Sequence, residues 1–146
     1  MRLTLYSDYS LRLLMYCAAR PERLVTIAEV AGAFGISRNH LMKAAYQLGS
    51  QGFLETVRGR GGGLKLARPP HKIGLGEIVR ATEDDFALVE CFDAARNNCV
   101  LAAAPCRLKG ALSRALKAYF TVLDEYTLAD LAARNSILQQ LVLKAS

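Results

Sequence analysis

Three cysteines, Cys91, Cys99 and Cys106, stand in one stretch of this chain with seven and then six residues between them. Thiolates hold zinc, copper(I) and iron–sulfur clusters, and become nucleophiles where their pKa is lowered. The spacing is wider than the two-residue intervals of zinc knuckles and ferredoxin-type clusters, so spacing alone does not separate ligands from free, buried cysteines. Context favours ligands. The three thiols gather in a run rich in Asn, Asp and Ala, and Cys106 stands where a long helix begins. A helix N-terminus stabilises thiolate, the form that binds metal. Three thiolates leave a four-ligand site incomplete. No His lies near them, and Lys109 stands three residues after Cys106. The fourth ligand therefore has to come from elsewhere, a second subunit included. Cys17 lies among apolar residues of the first helix and reads as core.

A second group of side chains suits nucleic acid. Ser37 is placed to open a helix whose first two turns present Arg38, Asn39, His40 and Lys43. Arg matches the O6/N7 edge of guanine and Asn the N6/N7 edge of adenine, each by a two-point contact. His40 reads as a surface or phosphate contact, because no second metal ligand lies one helical turn away. Further on, no Asp or Glu occurs between Glu55 and Glu77, while Arg58, Arg60, Lys65, Arg68 and Lys72 do. Gly61-Gly62-Gly63 would let this basic tip approach a groove or a phosphate without side-chain clashes.

The elements that must position these groups can be read from periodicity. Leu11, Leu14, Met15 and Ala18 recur at helical spacing over about residues 5–19, and Pro21 stops that helix. Thr26-Ile27-Ala28-Glu29 is a capping-box pattern that starts a short helix ending at Gly35. Ser37 offers a second N-cap for a helix running to about Gln51, with Ile36 buried in the turn between. Two helices joined by a short Gly-containing turn make a helix-turn-helix. Phe53–Val57 and Leu64–Leu66 read as two strands of a hairpin, a wing, and residues 75–82 as another short helix. Residues 83–106 lack periodicity. A long amphipathic helix follows from Arg107 to about Asp124, with Leu108, Leu112, Leu116, Tyr119, Phe120 and Leu123 on one stripe, and Thr127 to Asp130 caps a last helix. The expected fold is mainly α with a small β-hairpin: a winged helix-turn-helix over 1–82, a cysteine-containing loop over 83–106, and a dimerisation helix with a C-terminal helix over 107–146.

Bulk properties agree. With 19 Lys+Arg against 13 Asp+Glu the net charge is +6, which favours a polyanionic partner, and 52% hydrophobic residues suffice for a core. No signal peptide is expected, since Asp8 and Arg12 interrupt the apolar residues near the start, and no run of about 18 apolar residues exists. A soluble, cytoplasmic protein with no membrane segment is expected, in which the four cysteines are not structural disulfides. No nucleotide loop or paired catalytic constellation is present, so no enzyme is expected. An electron-transfer iron–sulfur protein and a cluster-free winged helix with incidental cysteines remain as other classes.

The motifs MRLTLYSDYSLR, GISRNHLMK, VRGRGGGLKLARP and LDEYTLADL, with the three cysteines, span nearly the whole chain. In them the chain resembles the Rrf-type winged-helix regulators, and within these the nitric-oxide-sensing NsrR type. The resemblance implies a repressor that binds a double-stranded DNA operator as a homodimer. It also implies an iron–sulfur cluster, 4Fe-4S rather than 2Fe-2S, on Cys91, Cys99 and Cys106, with Asp8 of the partner subunit as fourth ligand. Nitric oxide would be the signal, and Arg12, four residues from Asp8 on one helix face, would pair with the released carboxylate. Lys109 replaces the His that IscR-type members carry. ATEDDFALVECF and the long first cysteine interval resemble instead the iron-responsive RirA type, an alternative in which iron–sulfur status is the signal.

Overall fold

The computed structural model describes residues 2–133 and 135–144. Helix α1, Leu5–Ala18, starts at Thr4, whose hydroxyl accepts from the Ser7 amide at 3.2 Å. Its inward face buries Leu13, Leu14, Tyr16 and Cys17. Helix α2, Ile27–Phe34, has the capping box its sequence announces: Thr26 accepts from the Glu29 amide, and the Glu29 carboxylate accepts from the Thr26 amide at 2.8 Å. Gly35, at φ 64°, ends it in the left-handed region, and Ile36 is buried in the turn. Helix α3, Arg38–Ser50, follows. Ser37 takes the N-cap position but makes no side-chain capping bond, against the sequence expectation. The site is exposed, so the first amides of α3 are open to water or to a phosphate instead.

Strands β1, Leu54–Val57, and β2, Gly63–Leu66, pair antiparallel in the register Leu54 with Leu66 and Val57 with Gly63. Phe53, read as the first strand residue, lies just before β1 and is buried. Val25 holds the outer side of β2 by exchanging two backbone bonds with Leu64, at 2.9 and 2.8 Å. Helix α4, Leu75–Thr82, completes the head.

Residues 83–106 have no regular helix or strand beyond two short 3-10 turns, Glu90–Phe92 and Val100–Ala103. None of their described side chains is buried. Helix α5, Arg107–Asp124, contains no buried residue either, and Leu108 and Val122 on it are 62% and 52% exposed. The expected single last helix is two: α6, Leu128–Ala133, and α7, Ser136–Lys144. Thr127 and Asp130 cap the first, and Asn135 caps the second by accepting from the Leu138 amide at 2.9 Å. Both fold back, so that Leu128, Ala132, Leu138 and Val142 join the core of α1, α3 and the wing.

The joint between α5 and the head is specific. Arg80 of α4 makes two 2.7 Å bonds to the Asp124 carboxylate and lies over the Phe120 ring at 4.2 Å, while Phe86 of the loop meets that ring edge-on at 4.8 Å. Gly76 permits the approach, because a Cβ there would lie 1.9 Å from Asp124 Oδ1.

Candidate DNA interface and cysteine site

Helix α3 buries Leu41, Ala44, Ala45 and Leu48 and exposes Arg38, Asn39, His40 and Lys43, the residues its sequence offers to DNA. At about 100° per residue, Asn39 and Lys43 fall opposite the buried stripe, and Arg38 and His40 fall on its flanks. The exposed His40 ring stacks on Tyr9 of α1, 5.9 Å between centroids and 27° between planes. It therefore braces α3 against α1. Two exposed side chains of α3 escaped the sequence reading, Met42 at 51% and Tyr46 at 80% exposure. The signal was available, since Met42 lies three residues beyond Asn39 and Tyr46 three beyond Lys43.

In the wing, Arg58 and Arg60 are exposed at the tip. Lys65 is exposed too but pairs across the hairpin with Glu55 at 2.9 Å, directly opposite it in register. Arg68 bonds Glu77 at 2.7 Å and lies over the Phe53 ring. The tip's positive charge thus rests chiefly on the two arginines. The glycine run also has an internal cause: a Cβ on Gly62 would lie 2.3 Å from the Val57 carbonyl oxygen.

Cys91, Cys99 and Cys106 are free thiols of intermediate exposure, and all three line one cavity of about 250 Å³ together with Leu101, Ala104, Pro105 and Lys109. The loop that brings them there is shaped locally: Asp85, Asp93 and Asn97 each accept from the amide two residues on, those of Ala87, Ala95 and Cys99. Cys106 occupies the N-cap position of α5. Among the described residues no three His, Cys, Asp or Glu side chains converge on a single metal ion. A polynuclear iron–sulfur cluster spreads its thiolate anchors wider than one ion does, so three thiols around a shared cavity fit that group by donor type and arrangement. Cys17 is different in kind. It is buried, and burial pushes its thiol up to about 12.

Asp8 and Arg12 lie apart from that cavity, on α1. Their side chains are bound to each other through Nε at 3.1 Å and Nη2 at 2.8 Å, both about two-fifths exposed. The N-terminus of α1 is tied to the start of the cysteine loop: Glu83 accepts from the Thr4 amide at 2.7 Å, and Ser7 donates to the Thr82 carbonyl at 3.1 Å. Burial alone would raise the Glu83 carboxyl, but the hydrogen bonds it accepts, those from the Thr4 amide and hydroxyl among them, outweigh it and hold it below its ordinary value.

No helix among the described residues is long and apolar enough to cross a membrane. Residues 3–134 match the Rrf2 family, described as iron-dependent transcriptional regulators. The HTH-type transcriptional regulator NsrR of Bacillus subtilis is 52% identical over 143 residues, 97% of either chain. Among solved structures, CymR, the global cysteine regulator of B. subtilis, superposes with a TM-score of 0.79 at 25% identity, over 93% of this chain and 99% of that one. IscR of T. potens does so at 0.73 and 25%, over 90% and 85%. The chain belongs to the Rrf2 family of DNA-binding transcriptional regulators, and like its relatives it is no enzyme.

Proposed function

We propose that the protein is a homodimeric repressor that holds an iron–sulfur cluster, four-iron rather than two-iron, and leaves its operator when nitric oxide reaches that cluster. The observation that carries the reading is the meeting of Cys91, Cys99 and Cys106 around one cavity in a loop tied to α1, the helix that bears Asp8. The three thiolates anchor the cluster, and Asp8 of the partner subunit completes it. When bound, the cluster supplies iron with one carboxylate-held position, harder and weaker than thiolate and open to a small diffusible ligand.

The chain's own residues do the rest. The apolar stripe of α5, unburied within one protomer, pairs with its twin and sets the distance between two α3 helices along DNA. Arg38, Asn39 and Lys43 meet the major groove, with the amide end of α3 at Ser37 facing phosphate, and Arg58 and Arg60 meet the backbone. Arg12 receives the Asp8 carboxylate whenever Asp8 is not a ligand, which is the pairing seen here. Because α1 packs on α3, and Tyr9 on His40, a change at Asp8 bears directly on the reading helix. The fold and charge of the head support operation as a cytoplasmic DNA-binding protein.

The test is made without oxygen. The purified protein is expected to absorb in the visible, to lose that absorption on Cys91→Ala, Cys99→Ala or Cys106→Ala, and to keep it on Cys17→Ala. A few equivalents of nitric oxide are expected to abolish operator binding faster than a moderate iron chelator does, and Asp8→Ala to leave a dimer whose colour fades more readily. Prompt release by the chelator with nitric oxide inert would replace this reading by iron sensing. A colourless wild type that binds DNA fully would remove the cluster from it.

A further inference from the structure

On the proposed reading of α3 as the helix that enters DNA, we infer that Tyr46 is a further specificity residue, its ring seated on the C5-methyl of a thymine in the major groove. The four buried residues of α3, Leu41, Ala44, Ala45 and Leu48, define an inward stripe. At about 100° per residue, the direction opposite that stripe is occupied by Asn39, Lys43 and Tyr46, with Met42 alongside. Tyr46 is 80% exposed there, and Met42, its i−4 neighbour on the same face, is 51% exposed. A single exposed apolar side chain is ordinary. Here a large aromatic and a methionine occupy the middle of the one helix face that also carries the Asn and Lys, in a chain of net charge +6. His40 does not compete for that face, because its ring is held on Tyr9.

The chemistry of the groove names the contact. The major groove offers donors, acceptors and one apolar group, the thymine methyl, and apolar side chains recognise thymine through it. Tyr46 lies seven residues beyond Asn39, about 10 Å along the axis, which is roughly three base-pair steps. An adenine read by Asn39 and a thymine read by Tyr46 would therefore stand about three base pairs apart in each half-site, with Lys43 between them in the groove.

Duplexes are first selected from a random pool with the wild-type protein. Tyr46→Ala is expected to weaken binding to the selected operator about tenfold and to leave random duplex binding unchanged, while Tyr46→Phe stays near wild type. Replacing thymine by deoxyuridine one position at a time is expected to cost the wild type about fourfold at one position per half-site, the value of one buried methyl, and to cost Tyr46→Ala nothing there. Equal loss on operator and random DNA, loss in Tyr46→Phe equal to that in Tyr46→Ala, or a deoxyuridine penalty that persists in Tyr46→Ala would each overturn the methyl contact. Unchanged operator affinity in Tyr46→Ala would do the same while α3 stands as the reading helix. A wild type that selects no sequence at all would overturn the reading helix itself, and Tyr46 with it.

Discussion

The head and the cysteine loop are built on opposite terms. In the head, Leu13, Leu14, Val25, Val30, Leu41, Leu48, Ile73 and Ile78 are fully buried, and even the wing is held along β2 by Val25. In residues 83–106 no described side chain is buried, and the backbone is bent by Asp and Asn side chains bonding amides two residues away. Packing fixes the first region from within, because close-packed side chains tolerate few rearrangements. The loop has no such constraint, and local turns specify a bend without specifying a position. On the proposed reading, a rigid reader joined to a weakly determined loop is the arrangement a switch requires. A cluster on the three thiols, as proposed, would contribute a large share of the loop's order and little of the head's.

The widest expected gap between the two regions is in thiol chemistry. At pH 8 a thiol raised to about 12 from an ordinary 9.0 has about a thousandfold less thiolate. In chelator-treated native protein, Cys17 is therefore expected to react with iodoacetamide at least about a thousandfold more slowly than after denaturation, whereas Cys91, Cys99 and Cys106 react before unfolding. Mass spectrometry of the labelled peptides checks this, and labelling of all four thiols at one rate would break the contrast. Stability should divide the same way. In the chelator-treated protein Phe53→Ala, which empties a fully buried site, should cost about 3–5 kcal/mol in denaturant unfolding. Phe92→Ala, on the half-exposed loop, should cost under about 1 kcal/mol. Similar losses would mean that the loop shares the head's core.

How far the sequence disclosed each region follows from the range of the interactions involved. The capping box at Thr26 and Glu29, the turn at Gly35 and the strands of the wing rest on contacts a few residues apart, and they stand where periodicity and cap chemistry put them. Ser37 has the right residue type and no capping bond, because at an exposed helix start water serves as well. The second C-terminal helix was missed although Asn135, an ordinary N-cap, precedes it. The ties that matter for coupling were not legible at all. Glu83 reaches Thr4 across 79 positions and Arg80 reaches Asp124 across 44, and nothing in either neighbourhood announces its partner. The cysteines were recognised by type and clustering, but that they share a cavity depends on the course of an aperiodic loop.

The smallest effect is the most direct probe of the tie between the two regions. Phe120 touches Phe86 from the loop side and Arg80 from the head side, and Asp124 one turn later holds the same guanidinium with both carboxylate oxygens. The bonds from Arg80 hold the Asp124 carboxyl below its ordinary value of 3.8. A carboxylate lowered in this way contributes stability that is whole above its ordinary pKa and disappears as pH falls through the lowered one. The pair is exposed, so its contribution is modest and screened by salt. Asp124→Asn is therefore expected to lower the thermal midpoint slightly at neutral pH, by an amount that stays constant down to about pH 4 and fades as pH falls further through the lowered value. Gly76→Ala tests the geometry independently, since its Cβ would displace the carboxylate at 1.9 Å. It should reproduce the loss at neutral pH and, combined with Asp124→Asn, add little, because the two changes remove one contact. An Asp124→Asn deficit that persists unchanged at pH 3, or full additivity with Gly76→Ala, would show that the charge on Asp124 does not hold the joint. The link from loop to head by way of α5 would then rest on the aromatic contact of Phe86 with Phe120, beside the direct tie of Glu83 to Thr4.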